Sequence, residues 1–374
     1  MPETMPFPAF DDVPFPAFDD VPPLREAFAP HFPIGAVLSR QALQGRESID
    51  ADLAARHFSA LTAENSMKPE ALQPAEGQFT YDAADRLVEI AEACGAAPIG
   101  HTLVWHAQTP AWFFVDSDGS PVGRDVALGR LRAHITAVVG RYRGRIGQWD
   151  VVNEAISDAS GEWLRPSPWR EAIGDDYIAE AFRAAHAADP DATLIYNDYN
   201  IELRGKRAKT LRLLRMLLDQ QVPVHAVGIQ GHWRMDTPDF AEVEEAILEF
   251  AALGLTVMIT EMDIGVLPTQ YQGGDVSVNE VMTREQQAVM DPYVDSLPEE
   301  VARQHAARCQ RAFEMFLRHK HVIGRVSFWG TCDGSSWLND FPVRGRTDYP
   351  LLFDRRRRPK PAFFAVQQAA QAAC

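Results

Sequence analysis

Short apolar runs alternate with amphipathic segments along the chain from about residue 30 onward. Eight of these runs have the length and branched or aromatic composition of buried strands; they lie at 33–37, 58–64, 98–106, 146–154, 192–198, 225–232, 255–263 and 322–330. The segments between them show helical spacing. Residues 82–94 place Ala84, Leu87, Ile90 and Ala91 on one face, and segments 205–221 and 298–318 do likewise.

This alternation predicts one α/β domain, a (β/α)8 TIM barrel over residues 25–374, because eight strand–helix units suit that fold. A doubly wound sheet is the structural alternative. It usually carries a glycine-rich phosphate turn after its first strand, and this chain has none there. The connection 265–298 is unusually long, and barrel loops of that length generally form lids or walls on the rim.

The first 24 residues are expected to lie outside the barrel. The octapeptide PFPAFDDV at 6–13 recurs unchanged at 14–21, rich in proline and acidic residues and without a usable period. We expect this segment to be disordered or loosely docked through its phenylalanines. Residues 1–22 are therefore predicted to be dispensable for activity.

Charge and composition narrow the classes of partner. The net charge of −16 argues against a nucleic-acid or anionic-membrane partner and is compatible with a neutral substrate. No apolar stretch approaches the roughly 20 residues of a membrane-spanning helix. No signal peptide is visible, so a cytoplasmic protein or a mature exported form is expected. The four scattered cysteines are expected to be mostly reduced and buried. One disulfide among them is the alternative.

Two glutamates stand at the ends of strand-like runs. Glu154 closes WDVVNE, the fourth run, and Glu261 lies in VMITEMDI, the seventh. The carboxyl ends of barrel strands form one rim, where active sites lie. Two carboxylates on that rim are the working pair of a retaining glycosidase, one an acid/base and the other a nucleophile.

A second carboxylate accompanies Glu261. Asp263 is two residues further on and shares its face of the strand. Because like charges raise the pKa of one partner, we expect the imidazole of His232, at the end of the preceding strand, to contact both groups. The alternative is that Asp263 caps the following turn.

Other strand ends carry polar and aromatic side chains. TAENSMKPE contributes Glu64, Asn65 and Lys68, and GHTLVWHAQTP contributes His101, Trp105, His106 and Gln108. Three rim histidines raise the question of a metal, but the chain lacks HxH and HExxH, so no metal is expected. Trp329 and Trp337 in FWGTCDGSSW, and more weakly Tyr199 in NDYN, are candidates for stacking on sugar rings rather than filling the core.

Together these strings resemble glycoside hydrolase family 10, the endo-β-1,4-xylanases, over about residues 26–372. They occur in the family's order: TAENSMKPE, GHTLVWH, WDVVNEA, NDYN, GIQGH, ITEMD, FWG and LLFDRRRRPKPAF. The resemblance implies a TIM barrel, net retention of configuration, a xylan or xylo-oligosaccharide substrate and no cofactor. A monomer is expected. No separate carbohydrate-binding module is apparent, so insoluble xylan is expected to be a poor substrate.

The resemblance also implies roles for individual residues. Glu154 looks like the acid/base, Glu261 like the nucleophile, and His232 with Asp263 like the partners that orient it. The implied substrate-binding residues are Asn153, Gln230 and His101 around the reacting sugar; Glu64, Asn65, Lys68, Trp105 and Gln108 on the glycone side; Trp329 and Trp337 as an aromatic wall; and Tyr199 on the aglycone side.

Two other functions stay open from the sequence. One is a related retaining glycosidase that acts on β-1,4-glucan. The other is a catalytically inactive sugar-binding barrel, against which the presence of both glutamates counts.

Overall fold

Eight parallel strands close into a barrel in the computed structural model, which describes residues 17–45, 48–268 and 284–373. Each strand pairs with the next along the chain, and the last returns to pair with the first. A short ninth strand, residues 232–234, is not one of these eight. It lies beyond the end of the sixth barrel strand and pairs with the seventh. The strands are β1 Ile34–Leu38, β2 Ala60–Ala63, β3 Ala97–Val104, β4 Gln148–Asn153, β5 Thr193–Asp198, β6 Ala226–Ile229, β7 His232–Arg234, β8 Thr256–Gly265 and β9 Ile323–Phe328.

Helices cover the outside of the barrel. Those in the described ranges are α1 Leu24–Phe28, α2 Arg40–Leu43, α3 Ser48–His57, α4 Pro69–Leu72, α5 Asp82–Cys94, α6 Arg124–Arg141, α7 Pro168–Ile173, α8 Tyr177–Ala188, α9 Arg204–Asp219, α10 Phe240–Ala251, α11 Arg284–Met290, α12 Glu299–Arg318 and α13 Pro361–Ala372. The predicted TIM barrel is confirmed, with a strand in each of the eight predicted runs.

Helix α5 shows how well the apolar spacing locates an element. The helix occupies 82–94, as predicted, and buries Ala84, Leu87, Val88 and Ala91. Ile90, which the spacing placed on the buried face, is only partly buried and packs at the edge of the core. The buried set follows three- and four-residue steps around Val88, so the apolar stripe is rotated slightly from the one expected.

The sixth predicted strand is interrupted. Residues 225–232 were expected to form one run, but β6 ends at Ile229 and β7 begins at His232. Between them Gly231 has φ +82°, a left-handed conformation that a strand cannot contain and that glycine adopts readily. The bend brings His232 into register with Asp263 on β8.

The end of the N-terminal repeat packs on the barrel. Val21 is buried, and Phe18 packs against the core next to His57 of α3. His57 Nε2 lies 2.7 Å from the carbonyl oxygen of Phe18, and Arg56 Nη2 donates to that of Val21 at 2.9 Å. The second copy of the octapeptide is thus docked from Ala17 onward. The first copy, within residues 1–16, lies outside the described residues.

The long connection after β8 is anchored at both ends. Arg346 Nη2 donates to the carbonyl oxygens of Pro268 at 2.7 Å and Met290 at 3.0 Å, and α11 lies within the connection. Arg346 itself lines the cleft described below. Residues 269–283, on which most of the predicted lid or wall falls, lie outside the described residues.

Two further expectations concern the cysteines and membrane helices. Cys94, Cys309 and Cys332 carry free thiols; the latter two are buried and Cys94 is partly exposed. Over the described ranges, no helix is both long enough and apolar enough to cross a bilayer.

Candidate active site

A cleft of about 1050 Å³ opens at the carboxyl ends of the barrel strands. All fifteen residues predicted to act in catalysis or substrate binding line it. His106, considered above only as a metal ligand, does not. The closed barrel therefore brings together side chains that are spread over residues 64–337 of the sequence.

Glu154 follows β4 directly and adopts an unusual backbone conformation. Its φ is +58°, in the left-handed region that costs a residue with a side chain roughly 1–2 kcal/mol. Its amide donates to the carbonyl oxygen of Asn197 at 2.9 Å, and its own carbonyl oxygen accepts from Arg165 Nε at 3.0 Å. These contacts hold the turn that aims the carboxyl group into the cleft.

Neutral groups donate to the carboxyl group of Glu154. Trp105 Nε1 donates to Oε2 at 2.8 Å, while Oε1 accepts from Gln230 Nε2 at 2.9 Å and from Asn153 Nδ2 at 3.2 Å. The ring nitrogen Nδ1 of His106 lies 3.8 Å from Oε2. Three predicted substrate-binding residues thus also orient Glu154.

Glu261 lies inside β8 and faces positive charge. Its Oε2 lies 3.2 Å from His232 Nε2, and the other ring nitrogen, Nδ1, lies 2.9 Å from Asp263 Oδ2. His101 Nδ1 is 4.0 Å from Oε1. The predicted contacts of His232 with both carboxylates are present.

The charges around His232 determine two pKa values. Burial alone would lower the pKa of His232, but Asp263 and Glu261 outweigh it and raise that pKa to about 10. The imidazolium then donates to both carboxylates. Burial alone would raise the pKa of Glu261, yet the hydrogen bond from His232 and the charges of His101 and Lys68 hold it below its usual range. Glu261 is therefore a carboxylate at neutral pH.

Asn197 links the two glutamates and was not predicted. Its Nδ2 donates to Glu261 Oε1 at 2.7 Å and to Asn153 Oδ1 at 2.9 Å, while its Oδ1 accepts from Thr260 Oγ1 at 2.6 Å. Gly228 on β6 makes room for this amide, since a Cβ there would lie 2.4 Å from Asn197 Oδ1. The NDYN string contained Asn197, but only Tyr199 was singled out from it.

Asp150 is a second residue that the sequence reasoning missed. Its Oδ2 lies 2.9 Å from His101 Nδ1, and both side chains are almost fully buried. An acidic residue inside an apolar strand needs a partner, so WDVV already held a signal. Asp150 orients the imidazole ring that faces Glu261.

Three of the residues predicted to lie on the glycone side form one hydrogen-bonded group. Lys68 Nζ donates to Asn65 Oδ1 at 2.8 Å and to Gln108 Oε1 at 3.0 Å, and lies 4.6 Å from the centre of the Trp105 ring. Burial lowers the pKa of Lys68, but the carboxylates of Glu261 and Glu64 oppose that effect. Donors and acceptors on one wall suit the recognition of sugar hydroxyl groups.

The two predicted tryptophans surround the pair formed by Glu261 and His232. Trp329 contacts the rings of His101 and His232 edge-on, with centroids 5.1 and 6.2 Å away. Trp337 Nε1 donates to Asp263 Oδ2 at 2.8 Å, and its ring stacks on Phe341 with centroids 4.7 Å apart. Trp329 is mostly covered, whereas Trp337 is partly exposed to the cleft.

Tyr199 lies beyond Glu154 on the predicted aglycone side. Its hydroxyl donates to Asp158 and accepts from Arg165 Nη2 at 2.5 Å. Lys206 Nζ lies 3.5 Å from the centre of its ring. In the part of the chain that the structure describes, no group of three or more histidine, cysteine, aspartate or glutamate side chains has the arrangement of a metal site.

Comparison with known proteins identifies the family. Residues 23–369 match the model of Glycosyl hydrolase family 10. An endo-1,4-beta-xylanase of Geobacillus stearothermophilus is 43% identical over 351 residues, covering 92% of this chain and 97% of that protein. A thermostable celloxylanase of Thermoclostridium stercorarium is 40% identical over 355 residues, covering 92% and 86% of the two chains.

A solved structure agrees with the barrel. A GH10 endoxylanase retrieved from a sugarcane soil metagenome superposes with a TM-score of 0.88 at 39% identity, covering 92% of this chain and 99% of its own. The chain therefore belongs to glycosyl hydrolase family 10, which confirms the family, the barrel and the enzyme class predicted from its sequence.

Proposed function

We propose that this protein is an endo-1,4-β-xylanase that cleaves internal β-1,4-xylosidic bonds with net retention, with Glu261 as the nucleophile and Glu154 as the acid/base. The observation that carries the assignment is the unequal surroundings of the two carboxyl groups. Glu261 contacts the imidazolium of His232, whereas neutral indole and amide groups donate to Glu154. A nucleophile must be ionised when substrate binds, and a positive neighbour favours that state.

The reaction has two displacements. In the first, a carboxylate oxygen of Glu261 forms a bond to the anomeric carbon, the glycosidic C–O bond breaks, and Glu154 gives its proton to the departing oxygen. In the second, Glu154 takes a proton from water as that water attacks the anomeric carbon and releases Glu261. Each glutamate thus ends in its starting state.

Retention requires the two carboxyl groups to be about 5–5.5 Å apart, against about 6.5–9.5 Å in an inverting enzyme that must admit a water between them. The amides of Asn153 and Asn197 bridge Glu154 and Glu261 through consecutive hydrogen bonds. The amide of Asn153, next to the carboxyl group of Glu154, is proposed to bond the 2-hydroxyl of the reacting sugar, with Gln230 beside that sugar.

Azide rescue tests the two roles separately. In Glu261→Gly, azide added with an activated aryl xylobioside should attack in place of the missing nucleophile and give an α-azide. In Glu154→Ala, azide should intercept the glycosyl-enzyme and give a β-azide. Swapped products would reverse the two roles, and an initial α-configured product from the wild-type enzyme would exclude retention.

Activity on β-1,4-glucan is a second candidate, since a relative that is 40% identical is named a celloxylanase. A glucan differs by a hydroxymethyl group on each sugar, so the fit of the pocket around that position decides the preference. Rates on matched aryl xylobiosides and cellobiosides measure it directly. A reducing-sugar assay on soluble xylan separates either enzyme from an inactive sugar-binding barrel.

A further inference from the structure

Tyr199 is held rigidly by charged groups at the aglycone end of the cleft. Its hydroxyl lies between Asp158 and Arg165, and the ammonium group of Lys206 sits 3.5 Å from the centre of its ring. A cation over an aromatic face is attracted to it, most strongly where water is excluded. The orientation of this ring is therefore set before any sugar binds.

The same charged groups reach the backbone around Glu154. Arg165, which contacts the Tyr199 hydroxyl, donates from Nε to the Glu154 carbonyl oxygen at 3.0 Å. Asp198 accepts from the amide of Ile156 at 3.3 Å and lies 2.9 Å from Lys206 Nζ. The turn at residues 154–156 and the Tyr199 ring thus share one set of partners.

Lys206 is the centre of this cluster. Its side chain is 7% exposed, and its Nζ lies 3.0 Å from Asp158 and 2.9 Å from Asp198. A buried ammonium group needs carboxylate partners. Here they are Asp158, in the segment that follows β4, and Asp198, the last residue of β5. Lys206 itself belongs to α9, so three elements are joined at the aglycone rim.

We propose that Asp158 and Lys206 are positioning residues that hold Tyr199 and the Glu154 turn as one unit. A sugar stacked on Tyr199 then keeps its glycosidic oxygen in line with the Glu154 carboxyl group that protonates it. The inference rests on the proposed roles of Glu154 and Tyr199 and adds the residues that couple them. Neither Asp158 nor Lys206 needs to touch the reacting atoms.

The coupling predicts a dependence on the leaving group. Cleavage of xylotetraose requires a sugar on the aglycone side and a proton from Glu154. Cleavage of dinitrophenyl β-xylobioside requires neither, because dinitrophenolate leaves without protonation. Loss of the coupling should therefore slow the first reaction and spare the formation of the glycosyl-enzyme from the second.

Asp158→Asn is the variant of choice, because the side chain of Asp158 is 41% exposed and the buried ammonium group of Lys206 keeps Asp198 as its carboxylate partner. We expect kcat/KM for xylotetraose to fall roughly ten- to hundredfold, the effect of a small misalignment of a reacting group. For dinitrophenyl β-xylobioside, kcat/KM should change less than about twofold, since this constant reports steps up to the first displacement. An equal fall for both substrates, or no fall for either, would overturn the proposal.

Asp175→Asn is the matched control. Asp175 is also an exposed aspartate paired with an arginine, with Arg170 Nε 2.7 Å away, but it does not line the cleft. Both rates should stay at the wild-type level in this variant. A discrimination between substrates as large as that of Asp158→Asn would show that the effect is not specific to the cluster.

A double variant tests the route through Tyr199. If Asp158 acts by holding the Tyr199 hydroxyl, Tyr199→Phe added to Asp158→Asn should lower the xylotetraose rate little further. Fold-changes that multiply would overturn that route. Glu154→Ala, measured alongside, separates the two levels of inference. Normal cleavage of xylotetraose by Glu154→Ala would refute the proposed function. If Glu154→Ala slows xylotetraose more than dinitrophenyl β-xylobioside and Asp158→Asn does not, the positioning role alone is refuted.

Discussion

Glu261 and Glu154 are buried to almost the same degree, with exposed fractions of 4% and 6%, yet their surroundings differ in charge. Glu261 lies beside an imidazolium and within reach of two further basic side chains, whereas indole and amide groups donate to Glu154. Because the two carboxyl groups are almost equally buried, burial does not distinguish them. They differ in the charge of the groups that contact them. Two glutamates on one rim can therefore take different roles through the charge of the groups that contact them.

Removal of either carboxyl group should give the largest losses of kcat. The two losses should differ in size, because the two groups have different roles. Glu261→Ala should lower kcat on xylotetraose by about 10⁵–10⁶, as for the loss of other hydrolase nucleophiles. Glu154→Ala should lower it by roughly 10²–10⁴, the usual contribution of a general acid. Steady-state kinetics with the melting temperature as a folding control measure both. Equal losses would contradict the assigned roles.

The pH profile sharpens the same comparison. The wild-type kcat/KM should be bell-shaped, because Glu154 must carry a proton while Glu261 is ionised. Glu154→Gln cannot lose a proton from that side chain, so its alkaline limb should flatten while its acidic limb remains. An alkaline limb that persists unchanged would show that another group donates the proton.

His232→Asn should remove the positive charge that contacts Glu261 and so raise the pKa of that carboxyl group. The imidazolium holds the pKa of Glu261 below its usual range, so the acidic limb of the wild-type profile should lie at low pH. Without His232 the pKa of Glu261 rises, fewer molecules carry the nucleophile as a carboxylate at low pH, and the acidic limb moves to higher pH.

Profiles of kcat/KM for His232→Asn and for His321→Asn provide the comparison, because His321 is an exposed histidine in the turn 319–322 before β9. The control should follow the wild type. An acidic limb that stays in place in His232→Asn would mean that His232 does not control the ionisation of Glu261.

Trp337→Ala should produce a smaller effect, on binding rather than on folding. Trp337 is partly exposed to the cleft, so its loss should lower kcat/KM about tenfold and the free energy of unfolding by less than about 1 kcal/mol. Trp149 is fully buried in β4, so Trp149→Ala should lower the free energy of unfolding by about 3–5 kcal/mol. A large fall in melting temperature with normal kinetics for Trp337→Ala would identify it as a core residue.

Deletion of residues 1–22 should have the smallest effect on catalysis, since residues 17–22, the part that the structure describes, contact α3 and α13 and do not line the cleft. We expect kcat/KM to stay within about twofold of the wild type. Stability should fall by about 1–3 kcal/mol, because Val21 is buried. Deletion of residues 1–16 is the control, as it leaves Phe18 and Val21 in place. A large loss of activity in the longer deletion would contradict the prediction.

The local pattern of the chain was enough to locate the strands, the helix at 82–94 and the residues at the strand ends. The reason is that each strand or helix must bury one apolar face, and that requirement is written in neighbouring residues. The carboxyl ends of parallel strands meet on one rim, so the residues at those ends can be grouped from the sequence alone.

Most side-chain contacts between strands could not be predicted from the local pattern in this way. Asn197 joins Glu261 to Asn153 only because β4, β5 and β8 meet at one level of the barrel and Gly228 leaves space between them. The pairing of Asp150 with His101 depends likewise on how the adjacent strands β3 and β4 are staggered. Stagger is a property of the closed sheet as a whole. The contact of Lys206 with Tyr199 depends on where α9 begins relative to the end of β5.

The sequence by itself thus determined the barrel, the family and fifteen of the residues that line the cleft, because short-range periodicity, strand-end position and the order of the motifs carry that information. The contact of His232 with Glu261 was predicted from the sequence and is present. Only the tertiary structure decided that Trp105 and Gln230 donate to Glu154 and that Asn197 donates to Glu261. The physical reason is that hydrogen bonds and charge interactions depend on distances of a few ångströms between residues far apart in the chain.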